Sequence, residues 1–149
     1  LRTKGRIHMS KIAIVYWSGT GNTEAMANLV AEGVAAAGGQ ADLLTPELFD
    51  AGQVDQYAAF AFGCPSMGAE QLEEAEFEPM FTAVKPRLAG KTVGLFGSYG
   101  WGDGEWMRTW AADCEDTGCD LIAEPVIACG APEGGTADAC RELGRALVR

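Results

Sequence analysis

The stretch Ile12-Ala13-Ile14-Val15-Tyr16-Trp17-Ser18-Gly19-Thr20-Gly21-Asn22-Thr23 decides the fold, because it joins a buried strand to a helix through a tight loop. Its first six residues are apolar, β-branched or aromatic without alternation, which is typical of a strand buried on both faces. From Thr23 to about Ala37, apolar residues recur at helical spacing. A continuous apolar strand followed at once by such a helix predicts one unit of a parallel α/β sheet.

The same alternation of strand and helix continues along the chain. Further strands are predicted at residues 40–45, 57–63, 92–97 and 120–128, the last lying at a sheet edge where Pro125 is tolerated. Helices are predicted in a segment ending at Pro86, at residues 105–117 and at residues 136–148, and residues 46–56 form a polar connection. Five strands in so short a chain favour a doubly wound parallel sheet of order 2-1-3-4-5, with helices on both faces.

The charge and composition of the chain limit the kinds of partner that it is expected to bind. The chain has 149 residues and a formal net charge of −10, with 48% hydrophobic and 21% charged residues. The acidic balance argues against nucleic acid as a partner, because phosphate binding needs a basic surface. No apolar run reaches the length of a membrane helix, which argues against a membrane partner. Residues 1–8 read as a cloning remnant or an upstream extension, and residues 9–149 as one domain.

Histidine and cysteine usage excludes several kinds of site. The one histidine, His8, lies outside the predicted domain, so a Ser-His or Cys-His nucleophile has no base. The five cysteines are odd in number and scattered, without a C-x-x-C pair, which argues against a disulfide scaffold and against a metal site. These thiols indicate a reduced, cytoplasmic protein.

Three loops follow predicted strands 1, 3 and 4, at the sheet edge where ligands of such folds bind. The first, residues 18–23, has two glycines and four side-chain donors at a helix start, which is typical of an anion site. It lacks the Gly-Lys-Ser/Thr ending of a Walker A loop, and Glu24 replaces the third glycine of a dinucleotide loop. A terminal phosphate held by neutral donors is predicted; an ordinary helix start capped by Thr20 or Asn22 is the alternative.

The second and third loops offer walls for a flat ring. The second is Cys64-Pro65-Ser66-Met67-Gly68-Ala69-Glu70, in which a thioether precedes a flexible glycine. Taken alone, an ordinary turn with Met67 tucked inward is the better interpretation of it. The third is Gly97-Ser98-Tyr99-Gly100-Trp101-Gly102-Asp103-Gly104, and a Trp flanked by glycines is typical of a binding surface. Together the loops predict a site for a planar ring with a phosphate tail.

These three motifs resemble those of the short-chain flavodoxins, especially the clostridial type, from about Met9 to Arg149. The resemblance implies a flavodoxin-like fold, noncovalently bound FMN, and a phosphate held by residues 18–23. It also implies that Met67 and Trp101 flank the ring, that Glu70 faces its pyrimidine edge, and that the Met67–Gly68 carbonyl turns toward N5–H in the semiquinone. Pro65 and Ala69 depart from the usual pattern, so backbone contacts and not side-chain contacts are expected there. The predicted FMN-binding residues are Ser18, Gly19, Thr20, Gly21, Asn22, Thr23, Pro65, Ser66, Met67, Gly68, Ala69, Glu70, Ser98, Tyr99, Gly100, Trp101, Gly102 and Asp103.

The function that the resemblance implies is a low-potential one-electron carrier. It would shuttle between semiquinone and hydroquinone as a monomer, and would serve redox enzymes with basic docking surfaces. Independently of the resemblance, carboxylates near the flavin and the lack of Lys and Arg in the three loops disfavour an anionic hydroquinone. The alternatives are an FMN-dependent quinone or azo reductase, a non-redox phosphate-binding domain, and a flavodoxin-like partner of ribonucleotide reductase maturation.

Overall fold

A computed structural model describes residues 10–148. The predictions for residues 1–8 therefore lie outside the described residues. The β-strands are β1 (Lys11–Tyr16), β2 (Gln40–Leu44), β3 (Ala59–Gly63), β4 (Thr92–Tyr99), β5 (Asp120–Leu121) and β6 (Val126–Cys129). The α-helices are α1 (Asn22–Ala36), α2 (Phe77–Val84), α3 (Glu105–Thr117) and α4 (Gly134–Leu147).

The strands form one parallel sheet in the order β2-β1-β3-β4-β5, with β6 also paired to β4. The predicted order 2-1-3-4-5 is confirmed. Strand β1 lies between β2 and β3. Its Ile14 is opposite Leu43 of β2 and Ala61 of β3. This arrangement brings the loops after β1, β3 and β4 to one edge of the sheet.

The prediction of one continuous strand over residues 120–128 is wrong. Thr92 and Val93 pair with β5, whereas Phe96 pairs with Val126, so two residues of β4 face four residues between β5 and β6. The extra residues form a bulge that ends at Pro125, which has no N–H to give to the ladder. The edge strand is therefore split into two short pieces.

Strand β4 is longer than predicted. Its pairing with β6 carries it to Tyr99, where Ser98 lies opposite Ala128 and Tyr99 opposite Cys129. The first two polar residues of the predicted third loop thus belong to a strand, and the loop itself begins at Gly100. A sequence pattern missed this extension because polar residues at the end of β4 face the site instead of the core.

The two faces of the sheet carry different cores. On one face α1 and α4 cover a cluster that includes Ile12, Met26 and Leu143. On the other face α2, α3 and the two 3₁₀ turns of residues 46–56 cover an aromatic cluster centred on Phe60, Phe62 and Trp110. Within residues 10–148, every helix falls short of the length and apolar character that crossing a bilayer requires.

Candidate functional site

The first loop is closed by the Ser18 hydroxyl. Its Oγ accepts hydrogen bonds from the amides of Gly21 and Glu24, at 3.2 Å each. Gly21 is the N-cap of α1, with φ of 102°, and no side chain caps the helix from that position. The alternative, a helix start capped by Thr20 or Asn22, is therefore wrong, because the left-handed backbone that the turn needs falls on a glycine. The first-turn amides of α1 at Asn22 and Thr23 have no carbonyl of their own helix to bind.

Trp17 packs over this loop, although it was not among the predicted site residues. A Cβ placed on Gly19 would lie 3.1 Å from the Trp17 ring, so a larger residue there would require the ring to shift by a few tenths of an ångström. The Trp17 indole donates a hydrogen bond of 2.8 Å to Glu76 Oε1, just before α2. Its position directly after a strand at the ligand edge is a signal that could have found it.

The second loop contains a β-turn over Met67–Glu70. The Met67 carbonyl accepts a 2.8 Å hydrogen bond from the Glu70 amide, and the Met67 amide donates to the Gln71 carbonyl at 2.9 Å. Glu70 has φ of 52°, the one positive value at a non-glycine residue within residues 10–148. In contrast, the Gly68–Ala69 peptide at the centre of the turn is exposed and makes no hydrogen bond within the described part of the chain.

This turn geometry revises which peptide can reorient. The Met67–Gly68 peptide, singled out by the resemblance, has its carbonyl held by the Glu70 amide. The peptide that can turn without breaking that bond is the next one, between Gly68 and Ala69. Gly68 has no positive φ here, and a Cβ placed on it would meet nothing within 4 Å.

Glu73 fixes the far end of the second loop. Its buried carboxylate accepts bonds of 2.7–2.8 Å from the amides of Ala75, Glu76 and Phe77, which lead into α2. Burial opposes the charged carboxylate, but the three amide bonds together outweigh it and lower the pKa of Glu73. The Glu73 amide also donates to Cys64 Sγ, whose pKa burial raises to about 12.

The third loop meets the second through Glu70. Its carboxylate accepts a 3.2 Å bond from the Glu105 amide at the start of α3. A Cβ on Gly102 would lie 2.8 Å from that carboxylate, and Gly102 has φ of 88°, so the contact requires glycine on both counts. Trp101 is 61% exposed between its two flanking glycines. The loop therefore offers a free indole beside a positioned carboxylate.

The three loops enclose one cleft of about 350 Å³, within the range of small-molecule sites. Eleven predicted residues line it, and the structure thus brings these together: Ser18, Gly19, Thr20, Asn22, Thr23, Pro65, Ser66, Met67, Ser98, Tyr99 and Gly100. The other seven lie around it without lining it: Gly21, Gly68, Ala69, Glu70, Trp101, Gly102 and Asp103.

Two further lining residues escaped sequence reasoning, Trp17 and Gly130. Gly130 enters because its carbonyl accepts a 2.7 Å bond from the Ser98 hydroxyl and its amide donates to the Tyr99 carbonyl. Nothing in its local sequence signals this role, because it depends on the pairing of β6 with β4. Within residues 10–148, no cluster of His, Cys, Asp or Glu could hold a metal ion.

The chain is similar to known proteins over most of its length. A family model described as Flavodoxin matches residues 14–144. The flavodoxin of Megasphaera elsdenii is 46% identical over 141 residues, covering 93% of this chain and 98% of that protein. The flavodoxin of Clostridium beijerinckii is 40% identical over 135 residues, covering 91% and 97%. The solution structure of two-electron reduced Megasphaera elsdenii flavodoxin superposes with a TM-score of 0.85, at 48% identity over 91% of this chain and 97% of that one.

Proposed function

The chain belongs to the flavodoxin family, and from this premise we propose how its own residues hold FMN and control its reduction. The family binds FMN and transfers electrons, so the chain is an electron carrier and not a turnover enzyme. The reductase alternative is not favoured. When bound, FMN supplies the redox chemistry, accepting and returning single electrons. The observation that carries the proposal is the single cleft formed by the loops after β1, β3 and β4.

The first loop fits a phosphate monoester. The amides of Asn22 and Thr23 begin a helix of 15 residues, whose positive dipole end favours an anion. The hydroxyls of Ser18 and Thr20 line the same part of the cleft. Since neither Lys nor Arg lines the cleft, neutral donors would hold the phosphate.

The second and third loops fit a planar ring. Met67 lines the cleft, and the exposed Trp101 indole directly follows the lining residue Gly100. Sulfur and indole surfaces both suit contact with an aromatic face. Glu70, already positioned by the Glu105 amide and by Gly102, has a second carboxylate oxygen to accept from a ring N–H.

The Gly68–Ala69 peptide is the mobile element of the site. Turning it would present either its carbonyl or its N–H toward the cleft while the bond from Glu70 to Met67 stays closed. Gly68 permits the left-handed backbone that a reoriented turn can require, at little cost. We propose that this peptide would offer either a hydrogen-bond acceptor or a donor to the edge of a bound ring, according to the protonation of the ring.

The surrounding charge favours a low potential for full reduction. Within residues 10–148, no cation lines the cleft, whereas Glu76 accepts from the indole of the lining residue Trp17 and Glu70 accepts from the Glu105 amide. Adding negative charge to a ring in this setting is unfavourable, because no opposite charge compensates it. These carboxylates would therefore disfavour an anionic form of a bound ring.

We propose that redox partners dock through basic surfaces. A groove of about 850 Å³ runs from Glu70 between α2 and α3, and its carboxylates are those of Glu70, Glu74, Glu78, Asp113 and Asp116. One of these carboxylates, Asp113, is paired with Lys85 at 3.0 Å, and no Lys or Arg in the described part of the chain lines the groove. Such a surface attracts and orients a basic partner. The five free cysteines support a reducing, cytoplasmic setting, and we propose that the carrier acts as a monomer.

Two measurements test the proposal. Titration of the apoprotein with FMN and with riboflavin, which lacks the phosphate, separates the contribution of the first loop from that of the ring loops. We expect one FMN per chain and markedly weaker riboflavin binding; equal affinities would contradict the phosphate assignment.

For docking, Glu74→Lys should slow electron transfer to a basic partner more than Glu142→Lys on the opposite face of the sheet. Equal effects would contradict the groove.

A further inference from the structure

Two cysteines meet at the end of α3, at the edge of the sheet opposite the FMN cleft. Gly118 has φ of 97°, and beyond it the Cys119 amide donates a 3.0 Å bond to the Cys114 carbonyl. A second bond, from the Gly118 amide to the Glu115 carbonyl at 3.0 Å, completes the Schellman motif. In this motif the residues at the positions of Cys114 and Cys119 pack together. Here both of those residues carry thiols.

Both thiols are buried in the aromatic cluster on this face of the sheet, at the two positions whose side chains this motif brings together. The remaining cysteines are elsewhere: Cys64 bonds the Glu73 amide, Cys140 is buried on α4, and Cys129 is exposed at the end of β6. Cys114 and Cys119 are thus the two thiols that a helix end brings together in residues 10–148.

We propose that Cys114 and Cys119 form a modification site, a dithiol that a hydroperoxide oxidises to an intramolecular disulfide. The Cys119 sulfur attacks the peroxide, the O–O bond breaks, and a sulfenic acid and an alcohol or water form. The Cys114 sulfur then attacks the sulfenic sulfur, the S–S bond forms, and the S–O bond breaks with loss of water. Two thiols thus lose two electrons and two protons to one hydroperoxide.

The environment assigns the two roles. Cys119 is 9% exposed, whereas Cys114 is 0% exposed, so an oxidant reaches Cys119 first. Hydrogen bonding between the two side chains lowers the pKa of Cys119 and raises the pKa of Cys114. The charged neighbours of the pair, Lys85 and Asp113, bind each other at 3.0 Å. This site owes nothing to FMN, so it stands or falls separately from the proposed function.

Peptide mapping of the FMN-loaded full chain tests the site without altering either thiol. A Cys129→Ser background removes the exposed thiol, and cleavage before each Asp separates residues 113–115 from residues 116–119. After treatment with equimolar hydrogen peroxide, we expect a loss of two hydrogens and a linked pair of these two peptides, both reversed by dithiothreitol. Two free thiols after treatment, or a sulfinic acid on Cys119 without the link, would show only an apolar contact at a helix end.

Single substitutions check the order of attack. With Cys114→Ala, the Cys119 sulfenic acid should persist long enough to be trapped by dimedone. With Cys119→Ala, Cys114 should remain a thiol, whereas Cys140→Ala should form the disulfide as the parent does. Dimedone labelling of Cys114 in the Cys119→Ala protein would overturn the assignment of roles. FMN affinity should be the same in all of these proteins, because the pair lies across the sheet from the cleft.

Discussion

The first and second loops of the cleft are built in opposite ways. The first loop is held by hydrogen bonds along its length. The Ser18 hydroxyl accepts hydrogen bonds from two amides, and Gly21 supplies the left-handed turn. The buried Thr23 hydroxyl accepts a 3.4 Å bond from the Ser98 amide. In the second loop, both ends are anchored, but the central peptide between Gly68 and Ala69 is exposed and unbonded.

This difference suggests a division of labour. A preformed cradle binds the phosphate equally in every oxidation state, because the phosphate takes no part in the redox change. It therefore contributes affinity without changing the potential. A peptide that can turn interacts differently with each oxidation state, and unequal binding of the states is what shifts a potential. We therefore expect FMN affinity to depend on the first loop and the reduction potentials to depend on the second.

The largest effect is expected from Trp101→Ala, which removes the exposed indole that we propose stacks on the ring. Stacking on an aromatic side chain contributes about 1–3 kcal/mol, or roughly 5- to 150-fold in affinity. FMN and riboflavin should weaken by the same factor, and the potential for full reduction should rise. Trp101→Phe, which keeps a ring, should recover most of the affinity. Loss of FMN binding alone, with riboflavin unaffected, would contradict stacking.

Glu73→Gln should loosen the second loop while sparing the first. Replacing a buried, triply bonded carboxylate costs about 2 kcal/mol of unfolding free energy at pH 7. Because folding lowers the pKa of Glu73, its stabilisation is complete above the unfolded pKa of about 4.3 and is lost as pH falls through the lower, folded value.

Denaturant unfolding at pH 7 and at stepwise lower pH measures this. The difference between the parent and Glu73→Gln should shrink as the solution is acidified below about pH 4. Glu74→Gln is the matched control, since Glu74 is exposed next to it and its replacement should leave stability unchanged. A difference that is constant with pH would contradict a role for the carboxylate charge.

Gly68→Ala should change the reduction potentials alone. The present turn accepts a Cβ at this position, so folding and oxidised FMN affinity should be unchanged. A left-handed backbone costs an alanine about 1–2 kcal/mol, which corresponds to a shift of roughly 40–90 mV in a one-electron couple. Anaerobic reductive titration should show less of the one-electron-reduced flavin. An unaltered titration would contradict the role of this peptide.

Ser18→Ala should give the smallest effect, confined to the cradle. Losing an oxygen that accepts two amides at a helix start costs about 1 kcal/mol, or roughly fivefold in FMN affinity. Riboflavin affinity should not change, because it lacks the phosphate. Ser18→Thr keeps the hydroxyl and should behave as the parent does. Equal losses for FMN and riboflavin would mean that the loop supports the ring as well.

The sequence predicts the sheet well because strands buried on both faces leave continuous apolar runs. The order 2-1-3-4-5, the helices and the three ligand loops all follow from such runs and from the glycines between them. The split of the last strand does not follow, because a bulge depends on the register between β4 and its neighbours. A single proline marks where it ends but not how many residues it skips.

The site is less predictable where tertiary contacts build it. Gly130 reaches the cleft only through the pairing of β6 with β4, and Trp17 is held over the first loop by Glu76, 59 residues away along the chain. The turn in the second loop illustrates the same limit. Glycine marked flexibility at residue 68, but only the bond from Glu70 to Met67 shows which of its two peptides is held.

The division of labour is tested most directly by measuring oxidised FMN affinity and both reduction potentials in Ser18→Ala and Gly68→Ala under identical anaerobic conditions. The account predicts that Ser18→Ala weakens FMN with both potentials unchanged, and that Gly68→Ala shifts the potentials with oxidised FMN affinity unchanged. Potentials that move in Ser18→Ala, or an affinity loss without a potential shift in Gly68→Ala, would contradict it.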